Sequence, residues 1–173
     1  MTIQFRLCSQ STTSATPWPR YKVPINPPNS KKKQISAEDH IAAMNLLCKY
    51  QWLVDEGDSE GWAALWTDDA IFTGAMGHPL RGREQLRSLP GAVLKGFGGK
   101  IRHLMGNCYL EYGDTTDEVH AKFYNLVTTW LQGEGAQFFA IGSSSVSLVR
   151  VDDEWRIQEH RLVQLLKTGE EVS

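Results

Sequence analysis

Residues 101–112, with the sequence IRHLMGNCYLEY, form the first of four long strand-like segments in the C-terminal part of the chain. The other three segments cover residues 118–132, 136–151 and 155–166. The turns that separate them are Gly113-Asp114, Gly133-Glu134-Gly135 and Asp152-Asp153. Short turns between long strands connect antiparallel neighbours. These segments therefore predict a four-stranded antiparallel meander.

The chain before residue 100 has a helical pattern. Ser36 is a suitable helix cap followed by acidic residues, and apolar side chains then recur at helical spacing as far as Gly57. Three shorter elements are predicted at residues 61–66 (helix), 70–73 (strand) and 83–94 (helix, interrupted by Pro90-Gly91). Asp68-Asp69 is predicted to be a turn. This order indicates an α+β fold, in which helices cover one face of a curved antiparallel sheet and the mouth of the resulting cone forms a pocket.

The composition is that of a soluble protein with one domain. The chain has 173 residues, of which 41% are hydrophobic and 22% charged, and it can bury a sizeable core. Cys8, Cys48 and Cys108 are spaced too widely to indicate a disulfide framework or a zinc site, and the last two are expected to be buried thiols. No apolar run has transmembrane length, and residues 1–20 lack a secretory signal. We therefore expect a cytoplasmic protein that does not associate with membranes.

The N-terminal segment differs from the rest of the chain. Residues 1–37 contain six basic residues, no acidic residue and five of the seven prolines, whereas the remainder has 12 basic and 20 acidic residues, a net charge of −8. We expect residues 1–35 to be a disordered or partner-clasping tail, 36–167 the folded domain and 168–173 a second tail. A targeting peptide is the alternative for the first tail, although its prolines disfavour an amphipathic helix. The acidic domain argues against nucleic-acid binding.

Asp55 and His103 are the candidate catalytic residues. Asp55 lies near the end of the first predicted helix, and His103 lies 48 positions later within an apolar strand. A carboxylate beside a histidine fixes the tautomer of the imidazole and stabilises the imidazolium ion. The free ring nitrogen can then remove a proton as a general base. The sequence predicts this function if the fold brings the two residues together.

Several short motifs stand at places that correspond to those of a known family. They are Tyr50-x4-Asp55, residues 61–70 (GWAALWTDDA), Gly82 before a helix, and Arg102-His103-x2-Gly106-Asn107. With the order of elements over residues 36–166, they resemble the SnoaL-like branch of the nuclear transport factor 2-like superfamily. The aspartate and the histidine match the catalytic pair of three members: hexachlorocyclohexane dehydrochlorinase, scytalone dehydratase and bile-acid 7α-dehydratase.

The resemblance implies a cofactor-independent lyase or isomerase acting on a small, apolar, cyclic substrate by dehydratase-like elimination or a double-bond shift. His103 would be the base, Asp55 its orienting partner, and Tyr50 a hydrogen-bond donor to the substrate. Asn125 is the candidate for a further polar position at which the dehydratases carry Asp or His, but an amide cannot donate a proton as an acid does. The aromatic residues expected to line a closed substrate pocket are Trp66, Phe72 and Phe123.

Other functions of the same fold remain open. The chain also resembles the non-catalytic small subunit of ring-hydroxylating oxygenases, a ligand-binding module, and polyketide cyclase-like or epoxide hydrolase-like enzymes. No HExxH motif or histidine pair at helical spacing indicates a metal, and no cofactor is expected. A homodimer or homotrimer is expected through the sheet face. His160 is expected to be solvated or at an interface, and residues 143–145 (SSS) to be a polar strand segment.

Overall fold

The computed structural model describes residues 33–74, 77–130 and 135–167. Both predicted tails, except residues 33–35, lie outside these ranges. The elements are α1 (Ala37–Glu56), α2 (Ser59–Ala63), β1 (Trp66–Thr73), β2 (Leu80–Arg81), α3 (Gly82–Leu86), α4 (Ser88–Phe97), β3 (Ile101–Tyr112), β4 (Glu118–Thr129), β5 (Gln137–Val151) and β6 (Glu154–Lys167). The predicted α+β class is confirmed.

Helix α1 begins and ends where its sequence predicts. The hydroxyl of Ser36 accepts a hydrogen bond of 3.1 Å from the backbone N–H of Asp39, which satisfies a free donor of the first turn. Gly57 ends the helix in the left-handed conformation, with φ of 74°. The buried residues of the helix recur at helical spacing and are Ala43, Leu47, Tyr50, Gln51, Val54 and Asp55. Three of these six are polar or charged groups in its last two turns, which makes that part of the buried face unusual for a core helix.

The sheet is mixed rather than wholly antiparallel. Its strand order is β2-β1-β6-β5-β4-β3, and β3 to β6 form the predicted antiparallel meander. Strand β1, however, pairs in parallel with β6. This parallel pairing was not predicted, because local turns specify only the pairing of strands that are consecutive in sequence. Helices α3 and α4 carry the chain from β1 and β2, at one edge of the sheet, to β3 at the other.

Three predictions about local structure are wrong. Trp66 is not the end of the second helix but the first residue of β1, and it is fully buried. Asp68-Asp69 lies within β1, where the register with β6 shifts between Trp66 and Ile71, so these exposed acids mark an irregularity in a strand rather than a turn. The helix predicted over residues 83–94 is two shorter helices, α3 and α4.

An aromatic core lies between α1, α2 and the sheet. The rings of Trp62 and Trp66 have centroids 4.9 Å apart, and the ring of Tyr50 lies 5.3 and 5.9 Å from them. Phe72 of β1 contacts Trp66 edge to face at 6.2 Å. Aromatic pairs at such distances contribute about 0.5–1.5 kcal/mol each beyond the area that they bury. This core holds the C-terminal half of α1 close to the sheet.

Candidate active site

Asp55 and His103 are in direct contact. Asp55 lies in the last turn of α1 and His103 is the third residue of β3. The His103 Nδ1 atom is 2.6 Å from Oδ1 of Asp55, and the backbone N–H of His103 donates to Oδ2 at 2.9 Å. Asp55 is 3% exposed, whereas the His103 side chain is 20% exposed. The two oxygens of the Asp55 carboxylate therefore contact the backbone N–H and the ring Nδ1 of the same residue, His103.

This contact determines how the imidazole is protonated. Nδ1 donates its proton to the carboxylate, so Nε2 of the neutral ring is an acceptor. Nε2 has no hydrogen-bond partner among the described residues. The bond from the His103 backbone to Oδ2 prevents the carboxylate from rotating, so the pair is rigid. Such a histidine can take a proton and share the resulting positive charge with the aspartate.

The pair borders a cavity of about 470 Å³. Its lining residues are Cys48, Gln51, Trp52, Asp55, Arg102, His103, Leu104 and Met105. Four of the eight lining side chains, those of Cys48, Trp52, Leu104 and Met105, are apolar, and a cavity of this size suits a small molecule. Arg102 is partly neutralised, because its guanidinium lies 3.1 Å from a carboxylate oxygen of Glu56 and above the ring of Trp130 at 5.3 Å. The cavity thus combines an apolar wall with one candidate base.

A chain of buried polar side chains runs from the wall of this cavity into the core. Gln51 Nε2 donates to Asn125 Oδ1 at 2.8 Å, and Asn125 Nδ2 donates to the Ser144 hydroxyl at 3.0 Å. Ser144 is 2.9 Å from His160 Nε2, and Tyr50 Oη is 3.1 Å from His160 Nδ1. All five residues are at least 95% buried. They form one hydrogen-bonded chain, which we call the buried polar chain.

Two members of the buried polar chain have pKa values that are shifted from their ordinary values. Burial lowers the pKa of His160 to about 3, so this ring is neutral at physiological pH. Burial, and secondarily the negative charge of Asp55, raises the pKa of the Tyr50 hydroxyl well above its usual value. Neither group therefore exchanges protons with a substrate near neutral pH. Both act as fixed hydrogen-bonding groups.

The aromatic residues predicted to line the pocket lie elsewhere. Trp66, Phe72 and Phe123 are at most 3% exposed, belong to the core and are not among the lining residues of the cavity. Tyr50 and Asn125 are not lining residues either, but belong to the buried polar chain. The tryptophan at the cavity is Trp52, which is 65% exposed. In place of the expected closed aromatic pocket, the structure has a cavity lined by one tryptophan, three other apolar side chains and four polar or charged ones.

Two expectations about individual residues are wrong, and one useful residue was missed. His160, expected to be solvated or at an interface, is 2% exposed. Residues 143–145 lie in β5 as the predicted polar strand segment, and Ser144 is a fully buried member of the polar chain. Cys48 is an exposed thiol at the cavity, not a buried one. Gln51 was not singled out, although its position four residues before Asp55 places both on one face of α1.

Two general features of the described ranges bear on function. Among residues 33–74, 77–130 and 135–167, no three His, Cys, Asp or Glu side chains are grouped closely enough to hold a metal ion. Along the same residues, no helix has the length and apolar character needed to cross a membrane.

Comparisons with known proteins agree with this architecture. The model of the SnoaL-like domain family matches residues 36–161. The structure of Aln2 from a Streptomyces species is similar, with a TM-score of 0.69 and 23% identity, over 76% of this chain and 94% of that chain. No curated protein matches the chain in sequence.

Two of the structurally similar proteins are named for an activity. A putative scytalone dehydratase from Novosphingobium aromaticivorans has a TM-score of 0.65 and 17% identity, over 79% of this chain and 90% of its own. The hexachlorocyclohexane dehydrochlorinase LinA-type3 from Novosphingobium barchaimii has a TM-score of 0.64 and 18% identity, over 79% and 94%. At these identities the likeness establishes the fold alone.

Proposed function

Because the chain belongs to the SnoaL-like domain family, we propose that it is a cofactor-independent lyase or isomerase that acts on a small, largely apolar cyclic molecule. The observation that carries this proposal is the contact of 2.6 Å between His103 Nδ1 and the buried Asp55 carboxylate at the wall of a cavity. The activities for which two structurally similar proteins are named, a dehydratase and a dehydrochlorinase, are eliminations. A histidine base is suited to both kinds of elimination.

In the proposed reaction, Nε2 of His103 removes a proton from a carbon atom next to an activating group. The carbon–hydrogen electron pair then forms a double bond, either by expelling a leaving group or by shifting an existing double bond. Asp55 stabilises the imidazolium ion, and its two fixed hydrogen bonds mean that little reorganisation is needed. General base catalysis of this kind contributes typically about 10²–10⁴-fold to the rate. Orientation of the substrate within the cavity supplies the remainder.

The lining of the cavity limits the substrate class. Trp52, Leu104 and Met105 present apolar surface, while the polar groups are those of Gln51, the Asp55–His103 pair and Arg102, which is paired with Glu56. Such a distribution favours an apolar ring with a small number of polar substituents. Tyr50 and Asn125, expected from the resemblance to touch the substrate, would instead act through the buried polar chain.

The experiment that tests this proposal is a screen for proton abstraction in D₂O. Cyclic ketones, alcohols and halides are incubated with the protein, and NMR detects both elimination products and exchange of carbon-bound hydrogen for deuterium. Exchange reveals proton removal even where no leaving group departs. We expect His103→Ala to fold and to lose about 10²–10⁴-fold in the rate of any reaction found. Full activity in His103→Ala would contradict the mechanism.

We also propose that the chain forms a homodimer or homotrimer through the sheet face that the helices leave uncovered. Tyr124 of β4 and Val163 of β6 are both in register with Ser143 of β5, and they are 42% and 40% exposed. Leu126 and Leu165 are 39% and 48% exposed. Several exposed apolar side chains on adjacent strands are typical of an interaction surface.

A further inference from the structure

Gln51 is a buried residue that lines the cavity and has one side-chain hydrogen-bonding atom without a partner. The residue is 5% exposed and lines the cavity, and its Nε2 atom donates to Asn125. Its Oε1 atom is buried and has no hydrogen-bond partner among the described residues. The other buried side-chain atoms without partners belong to residues that do not line the cavity: Trp62, Trp66, Arg83, Arg87 and Trp155. A buried polar atom without a partner is costly, so this one indicates a partner that comes from the cavity.

The buried polar chain holds the Gln51 carboxamide in a fixed orientation. Asn125, Ser144 and His160 each make two hydrogen bonds within the chain, and Tyr50 ends it within the aromatic core. The amide of Gln51 cannot rotate without breaking the bond to Asn125. A fully connected polar network of this kind fixes the positions of its side chains, whichever way its hydrogen bonds run. The orientation of the Gln51 carboxamide, at the end of the chain nearest the cavity, is therefore fixed before a ligand binds.

The chain of hydrogen bonds can run in either direction. In one direction Gln51 Nε2 donates to Asn125 and Oε1 is left to accept from a ligand hydroxyl. Exchanging the oxygen and nitrogen positions of both amides, turning the Ser144 hydroxyl and moving the ring proton of His160 reverses every bond. Gln51 then presents N–H donors, which suit a carbonyl oxygen. In both cases the group that satisfies Gln51 is an oxygen substituent on the ligand.

We infer that Gln51 is the residue that binds the oxygen substituent of the substrate, a hydroxyl or a carbonyl, and so directs the adjacent carbon towards His103. Gln51 and Asp55 lie one turn apart on the same face of α1, and both line the cavity with His103. The inference rests on the proposed function for the identity of the reacting carbon. The contact between Gln51 and an oxygen substituent does not require any turnover.

A pair of matched probes tests the contact. Naphthalene and 2-naphthol have the same ring system and differ by one hydroxyl group, so the ratio of their dissociation constants isolates that group. We expect the wild-type protein to prefer 2-naphthol, and Gln51→Met to reduce this preference by about three- to tenfold, as the loss of one hydrogen bond implies. Cys48→Ala is the control, because Cys48 lines the same cavity but makes no bond to the polar chain, so it should leave the ratio unchanged.

A second measurement uses the wild-type protein and does not depend on whether the variant folds. The side-chain NH₂ resonances of Gln51 should shift more when 2-naphthol is added than when naphthalene is added, because both rings cause ring-current shifts and only 2-naphthol can make the hydrogen bond. Equal shifts with both probes, or an unchanged ratio in a folded Gln51→Met, would overturn the inference. The same binding measured in His103→Ala should retain the preference. The binding comparison therefore tests the role of Gln51 independently of the proton-abstraction screen, which tests the proposed function.

Discussion

Replacing Asp55 by Asn is expected to reverse the tautomer of His103. The two oxygens of Asp55 accept hydrogen bonds from the ring Nδ1 and from the backbone N–H of His103, at 2.6 and 2.9 Å. An asparagine has one oxygen and one NH₂ group at these places. The backbone N–H can only donate, so the oxygen must face it, whereas Nδ1 can accept. The NH₂ group therefore faces Nδ1, and the ring proton moves to Nε2.

The size of this preference follows from the burial of the site. Keeping the original tautomer would leave two donors opposed next to a side chain that is 3% exposed. An unmade hydrogen bond at a buried site costs about 1–3 kcal/mol, which corresponds to a tautomer ratio of about 5- to 150-fold. Most His103 rings would then carry their proton on the nitrogen that should act as the base. Together with the lost stabilisation of the imidazolium ion, the rate should fall by about 10²–10⁴-fold.

The tautomer can be measured without a substrate. Long-range ¹H–¹⁵N correlation spectra assign the protonated ring nitrogen, and we expect Nδ1–H in the wild-type protein and Nε2–H in Asp55→Asn. Glu56→Gln is the matched control, because it removes the adjacent carboxylate, which pairs with Arg102 rather than with His103. It should leave the tautomer unchanged. Retention of Nδ1–H in Asp55→Asn would refute the reasoning about the pair.

Two further predictions concern stability and assembly. The pKa of His160 is lowered from 6.5 to about 3 in the folded state, so stability is lost as the pH falls from 6.5 towards 3, where the unfolded chain binds a proton that the folded one does not. Between pH 7 and pH 4.5 the wild-type protein should lose about 2–3 kcal/mol more unfolding free energy than His160→Gln. Urea titrations at both pH values measure this, and equal losses would contradict it. Tyr124→Lys should shift the wild-type oligomer towards the monomer in size-exclusion chromatography with light scattering; a wild-type monomer would refute the proposed interface.

The meander was predictable from sequence, whereas the first strand was not. The turns at Gly113-Asp114 and Asp152-Asp153 are local signals, and both fall between antiparallel strands in the structure. The parallel pairing of β1 with β6 joins residues about 90 positions apart, for example Phe72 with His160. No local pattern specifies such a pairing. The start of β1 at Trp66 was also not predictable, because Asp68 and Asp69 interrupt the apolar alternation that would indicate a strand.

The site was partly predictable, for a related reason. Asp55 and His103 stand out because each is an ionisable side chain within an apolar pattern. The buried position of His160 could not be predicted in this way, because β6 has a register shift that changes which face its residues occupy. Leu148 pairs with Ile157 but Ser147 pairs with Glu159, so one extra residue lies between them. Strict alternation from Trp155 and Ile157 would place His160 on the outer face, whereas the shift places it inside.

The groups at the cavity also restrict the chemistry that a histidine base could carry out there. Of its lining residues, Cys48, Asp55, Arg102 and His103 have ionisable side chains. Asp55 is committed to His103, and an arginine remains protonated. The proton that His103 removes is held on Nε2, and the resulting imidazolium ion can return it to the substrate. A halide leaves without a proton, a hydroxyl group could take one from the imidazolium, and a shifted double bond needs the same proton back at another carbon. These three outcomes share one base, so the position of the oxygen substituent relative to His103, which Gln51 would set, decides among them.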